Sequence, residues 1–213
     1  METMSYHETR FKYDKRRTVV WQEITREIER RLHIGDTVLD VGCGYGDFIN
    51  NIRCTNKFAI DRNSGMKQYL NSDVVFINCE AQDISSCFDP ERFDFIFCSN
   101  LLEHLERKEI GCLLRTFRVL LKLGGYLAIL SPNYRRASNL YFDDYTHITP
   151  LSDVGLSDWL VAEGFRLVSL EPGFLPYSLK GARLPITRFF VRCWLNSPLK
   201  PWGKQMLIVA RRS

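Results

Sequence analysis

Two spacings of apolar residues alternate along this chain of 213 residues. Short apolar runs bounded by turn-forming residues predict buried strands, whereas apolar residues three or four positions apart predict amphipathic helices. The predicted strands are residues 37–41, 57–61, 73–78, 93–100, 126–131, 165–171 and 204–212. The predicted helices are residues 17–33, a helix beginning at Phe48, residues 64–71, residues 106–122, for which Gly124–Gly125 forms the C-cap, and residues 151–163.

The order of these elements predicts the fold. Strands that alternate with helices indicate a parallel sheet, because each helical crossover returns the chain to the same end of the sheet. Between the last two strands, no helical pattern is long enough for a parallel crossover, which is compatible with an antiparallel closing pair. We therefore predict an α/β fold with a seven-stranded, mostly parallel sheet, helices on both faces and an antiparallel last strand. Residues 131–147 show no regular pattern, and a loop of that length is usually functional.

Composition is that of an ordinary globular protein. Hydrophobic residues make up 45% and charged residues 25% of the sequence, enough for one substantial core, so we expect a single domain. A net charge of +4 is too mild for a dedicated nucleic-acid binder. The seven cysteines form no CxxC pair, the first residues are polar and basic rather than a signal peptide, and no apolar run is long enough to span a bilayer. These features predict a cytoplasmic protein.

A glycine-rich turn, GCGYGD (42–47), follows the first predicted strand. Glycines at such a turn let a ligand approach the main chain closely. A dinucleotide site favours GxGxxG, but the sixth position here is Asp47, which would repel a pyrophosphate. S-adenosyl-L-methionine (SAM) has no phosphate and carries a cationic sulfur, so Asp40 and Asp47 favour it. Asp61, which ends the second strand, can accept both ribose hydroxyls of such a nucleoside.

Several segments resemble the motifs of class I SAM-dependent methyltransferases. VLDVGCGYGDF (38–48) resembles their motif I, and AIDRN (59–63) resembles their acidic second motif. SNLLEHL (99–105) is similar to the segment after the fourth strand, and LLKLGGYLAIL (120–130) is similar to the family's LKPGGxL. The resemblance implies a Rossmann-like fold and methyl transfer with SAM as the cofactor.

The resemblance also implies a cofactor site and a division of the chain. Glu80 and Ala81 would flank the adenine. The single domain would comprise an N-terminal lid and helix (1–33), a cofactor-binding core (34–171) and a basic, aromatic C-terminal segment with the final strand (172–213). The predicted cofactor-binding residues are Asp40, Gly42, Cys43, Gly44, Gly46, Asp61, Arg62, Glu80, Ala81, Gln82 and Asn100.

Candidate catalytic residues follow the fourth predicted strand, because α/β sites open at the carboxyl ends of strands. Methyl transfer is an in-line displacement, and a hydroxyl nucleophile needs a base. NLLEH (100–104) resembles the segment at which ubiquinone-pathway and small-RNA O-methyltransferases carry ExxEH and can hold a divalent metal. Asn100 replaces the first Glu, and the loss of one carboxylate weakens a hard-cation site. We therefore predict no metal. Glu103 and His104 would start the following helix, or His104 would be a general base.

The segment after the fifth strand supplies further candidates. His147 and Asp144 are candidate bases, so the predicted catalytic residues are His147, His104 and Asp144. Arg135 and Arg136 either meet a phosphate or carboxylate on the acceptor or lie in a solvated loop. The stretch DDYTH (143–147) resembles methyltransferases found beside glycosyltransferases in bacterial surface-polysaccharide pathways.

Basic and aromatic residues alternate in the C-terminal segment, and no acidic residue follows Glu171. Arg188 and Arg192 fall one helical turn apart beside Phe189 and Phe190. Such a segment either rests on an anionic membrane, at its inner face in the cell, or covers the sheet edge and core. It lacks a recognised RNA-binding module, so we expect no nucleic-acid partner.

Three functions remain compatible with the sequence. The first is O-methylation of a sugar, glycan or glycolipid precursor. The second is methylation of a small aromatic or other free metabolite, as in quinone pathways. The third is SAM binding without turnover, as a scaffold subunit.

Overall fold

Seven strands form the sheet at the centre of the molecule. The computed structural model describes residues 13–177 and 187–213, so the first part of the predicted lid (1–12) and residues 178–186 of the C-terminal segment lie outside the described residues. The strands are β1 (Thr37–Val41), β2 (Asn56–Asp61), β3 (Val74–Asn78), β4 (Phe93–Ser99), β5 (Leu121–Pro132), β6 (Phe165–Pro176) and β7 (Gly203–Arg212).

The strands lie in the order β3-β2-β1-β4-β5-β7-β6. Neighbours from β3 to β5 pair in parallel, whereas β7 is antiparallel to both β5 and β6. The predicted seven-stranded, mostly parallel sheet with an antiparallel last strand is therefore confirmed. This topology places β1 in the middle of the sheet, where all five of its residues are buried.

Helices cover both faces of the sheet. The α-helices are α1 (Arg16–Arg31), α2 (Arg107–Leu120), α3 (Tyr134–Tyr141), α4 (Asp153–Ala162) and α5 (Arg188–Asn196). Alternate side chains of a strand point to opposite faces. Leu39 and Val41 accordingly join the core cluster under α2 and α4, and Val38 joins the cluster under α1 and α5. None of the helices in the described ranges is long and apolar enough to cross a membrane.

The predicted helix beginning at Phe48 is wrong. Residues 44–51 form hydrogen-bonded turns instead. The side chains of Asn50 and Asn51 bond to backbone carbonyls of Tyr69 and Asp47, at 2.9 and 2.8 Å. The Asn51 side chain thereby takes the carbonyl that its own amide would use in an α-helix, and that amide bonds to Phe48 instead. The predicted helix at 64–71 is a 3-10 helix, Ser64–Tyr69.

The predicted C-cap at Gly124–Gly125 is also wrong. Helix α2 ends at Leu120, and Leu121 is extended and pairs with Phe93 of β4. Gly124 instead lies early in β5 with φ of 82°, against the Arg211 side chain. The chain leaves the helix at Leu120 because Leu121 is buried in the core as the first residue of β5.

Two short helices lie in segments where the apolar spacing does not predict a helix. Helix α3 lies in the region predicted to be irregular, where Asn133 caps its first turn by accepting from the Arg135 amide at 3.2 Å. The backbone at Ala137 is non-helical and kinks α3, so the apolar residues of this segment do not follow a regular helical spacing. Helix α5, only nine residues long, lies between the last two strands.

Gly46 offers a test of the turns that replace the predicted helix. Its φ is +71°, and an added Cβ would lie 2.7 Å from the Asn50 Nδ2 atom and against Leu70. We expect Gly46→Ala to lower the free energy of unfolding by about 1–3 kcal/mol, measured by urea denaturation. Gly111→Ala is the control, because an added Cβ there has ordinary contacts within α2 and alanine favours the helix. Equal stability of the two variants would refute this account of the turn.

Candidate active site

A cleft of about 380 Å³ opens at the carboxyl ends of β1, β2 and β4. Sites of parallel α/β sheets lie at this edge, and the volume suits a nucleoside-sized ligand. All but one of the predicted cofactor-binding residues line it, namely Asp40, Gly42, Cys43, Gly44, Asp61, Arg62, Glu80, Ala81, Gln82 and Asn100. The exception, Gly46, forms the turn behind the loop, where its amide donates to the Cys43 carbonyl at 2.9 Å.

Main-chain hydrogen bonds hold the glycine loop against the end of β2. The Ile60 carbonyl accepts from the amides of both Gly42 and Cys43, each at 3.0 Å. Gly42 has φ of +70°, and an added Cβ would lie 3.2 Å from a methyl group of Leu101. The loop therefore exposes bare backbone to the cleft, as a closely bound nucleoside requires.

The Asp61 carboxylate links the loop to β2. Its Oδ2 accepts from the Gly44 amide at 2.9 Å, and its Oδ1 accepts from the Asn63 amide at 2.8 Å. A carboxylate has about four acceptor positions, so each oxygen retains capacity for a ribose hydroxyl. The sequence predicts the sugar contact but not this second role, because the backbone bonds depend on how β1 and β2 pair.

Two further carboxylates stand near the loop. Asp40 is buried, and burial raises its pKa well above the ordinary value, while the Ile49 amide opposes the shift. Burial also raises the pKa of Asp47, whose Oδ2 accepts from Arg17 at 2.8 Å. Asp47 is therefore partly neutralised by an arginine of α1, a partner that the sequence does not predict.

Helix α1 supplies one wall of the cleft through Arg17 and Trp21. Trp21 meets Phe97 edge to face with ring centroids 6.1 Å apart, and Phe97 stacks on Phe48 at 4.0 Å. All three rings line the cleft and give it an apolar floor. The sequence shows these residues only as apolar positions, because a hydrophobic pattern does not distinguish core packing from a site wall.

Asn100 lines the cleft at the turn after β4. It has φ of +50°, which is uncommon for a residue other than glycine and occurs often at functional sites. Its amide donates to the Leu130 carbonyl at 2.8 Å, so the turn after β4 is tied to β5.

His104 lines the cleft and is held by the segment after α3. Its Nδ1 lies 3.2 Å from the Thr146 carbonyl and 2.9 Å from the Thr146 hydroxyl. That hydroxyl donates to Asp144 Oδ1 at 2.7 Å. A carbonyl oxygen only accepts, so Nδ1 carries the proton and Nε2 is the basic atom of the ring. Burial and the neighbouring His147 lower the pKa of His104, which is therefore neutral at neutral pH.

His147 and Asp144 lie behind His104 rather than on the cleft. The rings of His147 and His104 have centroids 4.8 Å apart, and His147 is only 8% exposed. His147 Nδ1 donates to the Tyr141 carbonyl at 2.7 Å. Of the three predicted catalytic residues, the structure thus places only His104 on the cleft wall, and the other two support it.

Glu103, His104 and His147 form a cluster that could hold a cation, since each offers one ligand atom within 4.8 Å of the others. Glu103 is buried, and its Oε2 accepts from the Ser131 hydroxyl at 3.0 Å. Its Oε1 has no hydrogen-bond partner among the described residues. Burial raises the pKa of Glu103 to about 8, so its carboxyl is mostly protonated at neutral pH. A cation there would have to displace that proton.

Arg135 and Arg136, which the sequence assigned either to an anionic acceptor or to a solvated loop, do not line the cleft and lie in α3. Arg135 pairs with Asp153 at 3.4 Å, and the side chain of Arg136 lies against Gly173. Both are exposed.

Comparison with known sequences identifies the family. A sequence model described as a methyltransferase domain matches residues 13–170. Ubiquinone biosynthesis O-methyltransferases of Coxiella burnetii strains are 27% identical over 171 residues, which cover 67% of this chain and 69% of the relative.

Solved structures share the fold. A SAM-dependent methyltransferase from Archaeoglobus fulgidus superposes with a TM-score of 0.67 at 22% identity, over 90% of this chain and 94% of that one. A geranyl diphosphate methyltransferase in complex with SAM superposes with a TM-score of 0.65 at 14% identity, over 92% and 85% of the two chains. The chain therefore belongs to the methyltransferase-domain family, and SAM is the methyl donor that this family and fold imply.

Proposed function

We propose that the chain methylates a hydroxyl of a sugar, glycan or glycolipid precursor, with SAM as the methyl donor. The observation that carries the proposal is the placement of His104, whose ring lines the cleft with Nδ1 bonded to Thr146. A hydroxyl acceptor must lose a proton as its oxygen attacks, and a neutral imidazole presenting Nε2 is suited to take it.

Each residue has a defined task in this reaction. When bound, SAM supplies a methyl group on a cationic sulfur. Asp61 would hold the ribose, and the backbone from Gly42 to Gly44 would line the nucleoside site. The acceptor oxygen would take the methyl group as the carbon–sulfur bond breaks, and the electron pair of that bond would leave with the sulfur as S-adenosylhomocysteine. His104 Nε2 takes the hydroxyl proton, and the Thr146–Asp144 chain stabilises the resulting imidazolium.

Aromatic residues beside the cluster support a sugar acceptor. Tyr145 is 70% and Phe142 is 55% exposed, and both lie on the segment that carries Thr146. Solvent-exposed rings of this kind pack against the apolar C–H face of a pyranose, while the sugar hydroxyls remain hydrated.

A small aromatic acceptor is the second candidate. The Coxiella burnetii relatives are named for O-methylation in ubiquinone biosynthesis, and they match 67% of this chain. The apolar floor of Trp21, Phe48 and Phe97 would suit an aromatic ring. Cofactor binding without turnover is the third, and it predicts that no acceptor yields S-adenosylhomocysteine.

The acceptor class can be tested with SAM that carries a labelled methyl group. We expect label in the carbohydrate of cell-envelope glycolipid extracts, because the exposed rings and His104 suit a sugar hydroxyl. The measurement is chromatography of the hydrolysed sugars, with a panel of small phenols assayed in parallel. Label in the phenols alone would favour the second candidate, and no S-adenosylhomocysteine with any acceptor would favour the third.

Asp61→Ala should weaken SAM binding by about 2–3 kcal/mol, because the ribose loses charge-assisted hydrogen bonds and the Gly44 amide loses its acceptor. Isothermal titration calorimetry measures the change. Asp73→Ala is the matched control, since this carboxylate pairs with Lys57 at 2.8 Å away from the cleft. An unchanged affinity for Asp61→Ala would remove it from the sugar site.

His104→Ala should lower kcat by about a hundredfold to ten-thousandfold with little change in SAM affinity, because the base is lost. Thr146→Val should lower kcat less, since the ring stays but its orientation and charge stabilisation weaken. Single-turnover kinetics check both, and the exposed His33 gives the control His33→Ala.

A different result would assign the cluster to a cation. Turnover that is lost in EDTA and restored by Mn²⁺ or Zn²⁺ would make Glu103, His104 and His147 metal ligands rather than a base and its supports. We expect turnover to persist in EDTA, because Asn100 stands in place of one carboxylate and Glu103 is mostly protonated at neutral pH.

A further inference from the structure

Helix α5 carries an exposed apolar face that the cleft does not use. Phe189 is 69% and Phe190 is 44% exposed. The helix is anchored through its C-terminal turn, because Leu195 is buried in the core cluster and Trp194 donates to the Phe174 carbonyl at 2.9 Å and stacks on Trp202. The helix is thus amphipathic, with aromatic rings on the outside.

Arginines border this face. A second cavity of about 270 Å³ lies between α1 and α5 and is lined by Arg26, Arg53 and Arg188. Among the described residues that line it, Glu29 is the only acidic one. Arg53 pairs with Glu29 at 2.8 Å, whereas the partner of Arg188 is the neutral side chain of Gln22 at 2.7 Å. The cavity lining therefore has three cations against one anion, a net charge of +2.

Carboxylates next to the cavity do not remove this excess. Glu23 is buried and accepts from both Arg26 and Arg192. When Glu23 and Arg192 are added to the cavity lining, four arginines stand against Glu23 and Glu29, and the net charge is again +2. From residue 172 to the C-terminus the sequence contains no Asp or Glu. No acidic side chain of this segment therefore opposes an anionic partner.

We propose that the α1–α5 surface, formed by Phe189 and Phe190 with Arg26, Arg53 and Arg188, docks on an anionic lipid bilayer. The exposed rings enter the region between headgroups and acyl chains, and the arginine cavity receives a lipid phosphate. Charge complementarity selects the bilayer over a second copy of the chain, because two basic surfaces repel each other.

Docking would orient the catalytic cleft. Helix α1 contributes Arg17 and Trp21 to the cleft and, further along, Gln22 and Arg26 to the arginine cavity. One helix therefore connects the lipid-binding surface to the cofactor site. This consequence rests on the proposed function, and it restricts the acceptor to a sugar carried on a membrane lipid. The docking itself does not depend on turnover.

Vesicle co-sedimentation tests the proposal with the full chain. We expect binding to vesicles that contain phosphatidylglycerol, little binding to phosphatidylcholine vesicles, and release at high salt. Phe189→Ser with Phe190→Ser should weaken binding about tenfold or more. Arg188→Gln should weaken it roughly fivefold.

Matched controls lie on the other face of the sheet. Val119→Ser and Arg107→Gln each alter an exposed residue of α2, and both should bind anionic vesicles like the unchanged chain. Calorimetry with SAM should give equal affinity for every variant, since none of these residues lines the cleft. A failure of lipid binding with intact SAM binding would thus refute the docking and leave the proposed function standing.

Other outcomes would overturn the proposal. Equal binding to both kinds of vesicle, or unchanged binding after the two Phe substitutions, would contradict it. Light scattering that shows a dimer broken by those substitutions, without vesicle binding, would assign the surface to a second copy. Release from vesicles by inorganic phosphate at an ionic strength where chloride has no effect would assign the cavity to a free anion.

Discussion

The site depends on one main-chain constraint, the attachment of the glycine loop after β1 to the end of β2. The Ile60 carbonyl accepts from two successive amides, and the Asp61 carboxylate accepts from a third. These bonds satisfy donors that would otherwise be buried without partners beside the cleft, and an unmade bond of that kind is costly. They also keep the loop clear of the space that a nucleoside needs. The parallel pairing of β1 with β2, which brings Val41 opposite Ile60, makes the attachment geometrically available.

The cleft wall around His104 is built differently, from side chains rather than backbone. His104 comes from the turn after β4, whereas Thr146 and Asp144 come from the segment after α3. The two segments are joined by main-chain bonds, since the Glu103 carbonyl accepts from the Ile148 amide at 2.9 Å. The orientation of the imidazole is therefore a property of two distant stretches of chain. The ring can be held in one tautomer without a carboxylate in direct contact with it.

Much of the fold could be predicted from the sequence. The buried strands have short apolar runs, and the order of elements identifies the parallel part of the sheet. The helix predicted at Phe48 is absent because the Asn51 side chain takes the Asp47 carbonyl from the helical ladder, and α2 stops early because Leu121 is buried in β5. Helix α3 was missed because a kink at Ala137 disturbs its periodicity. These differences arise where a tertiary contact outweighs local preference.

The glycine loop, the acid at the end of β2 and the succession of strands and helices could be predicted from the sequence, because each depends on residues close together along the chain. Which side chains share the cleft depends on the packing of distant segments. In the folded protein, Trp21 and Arg17 lie on the cleft wall. His147 lies behind His104, and Thr146 contacts the His104 ring. Contacts between residues forty or more positions apart, such as His104 with Thr146, follow from packing and topology. The periodicity of apolar residues does not predict these long-range contacts.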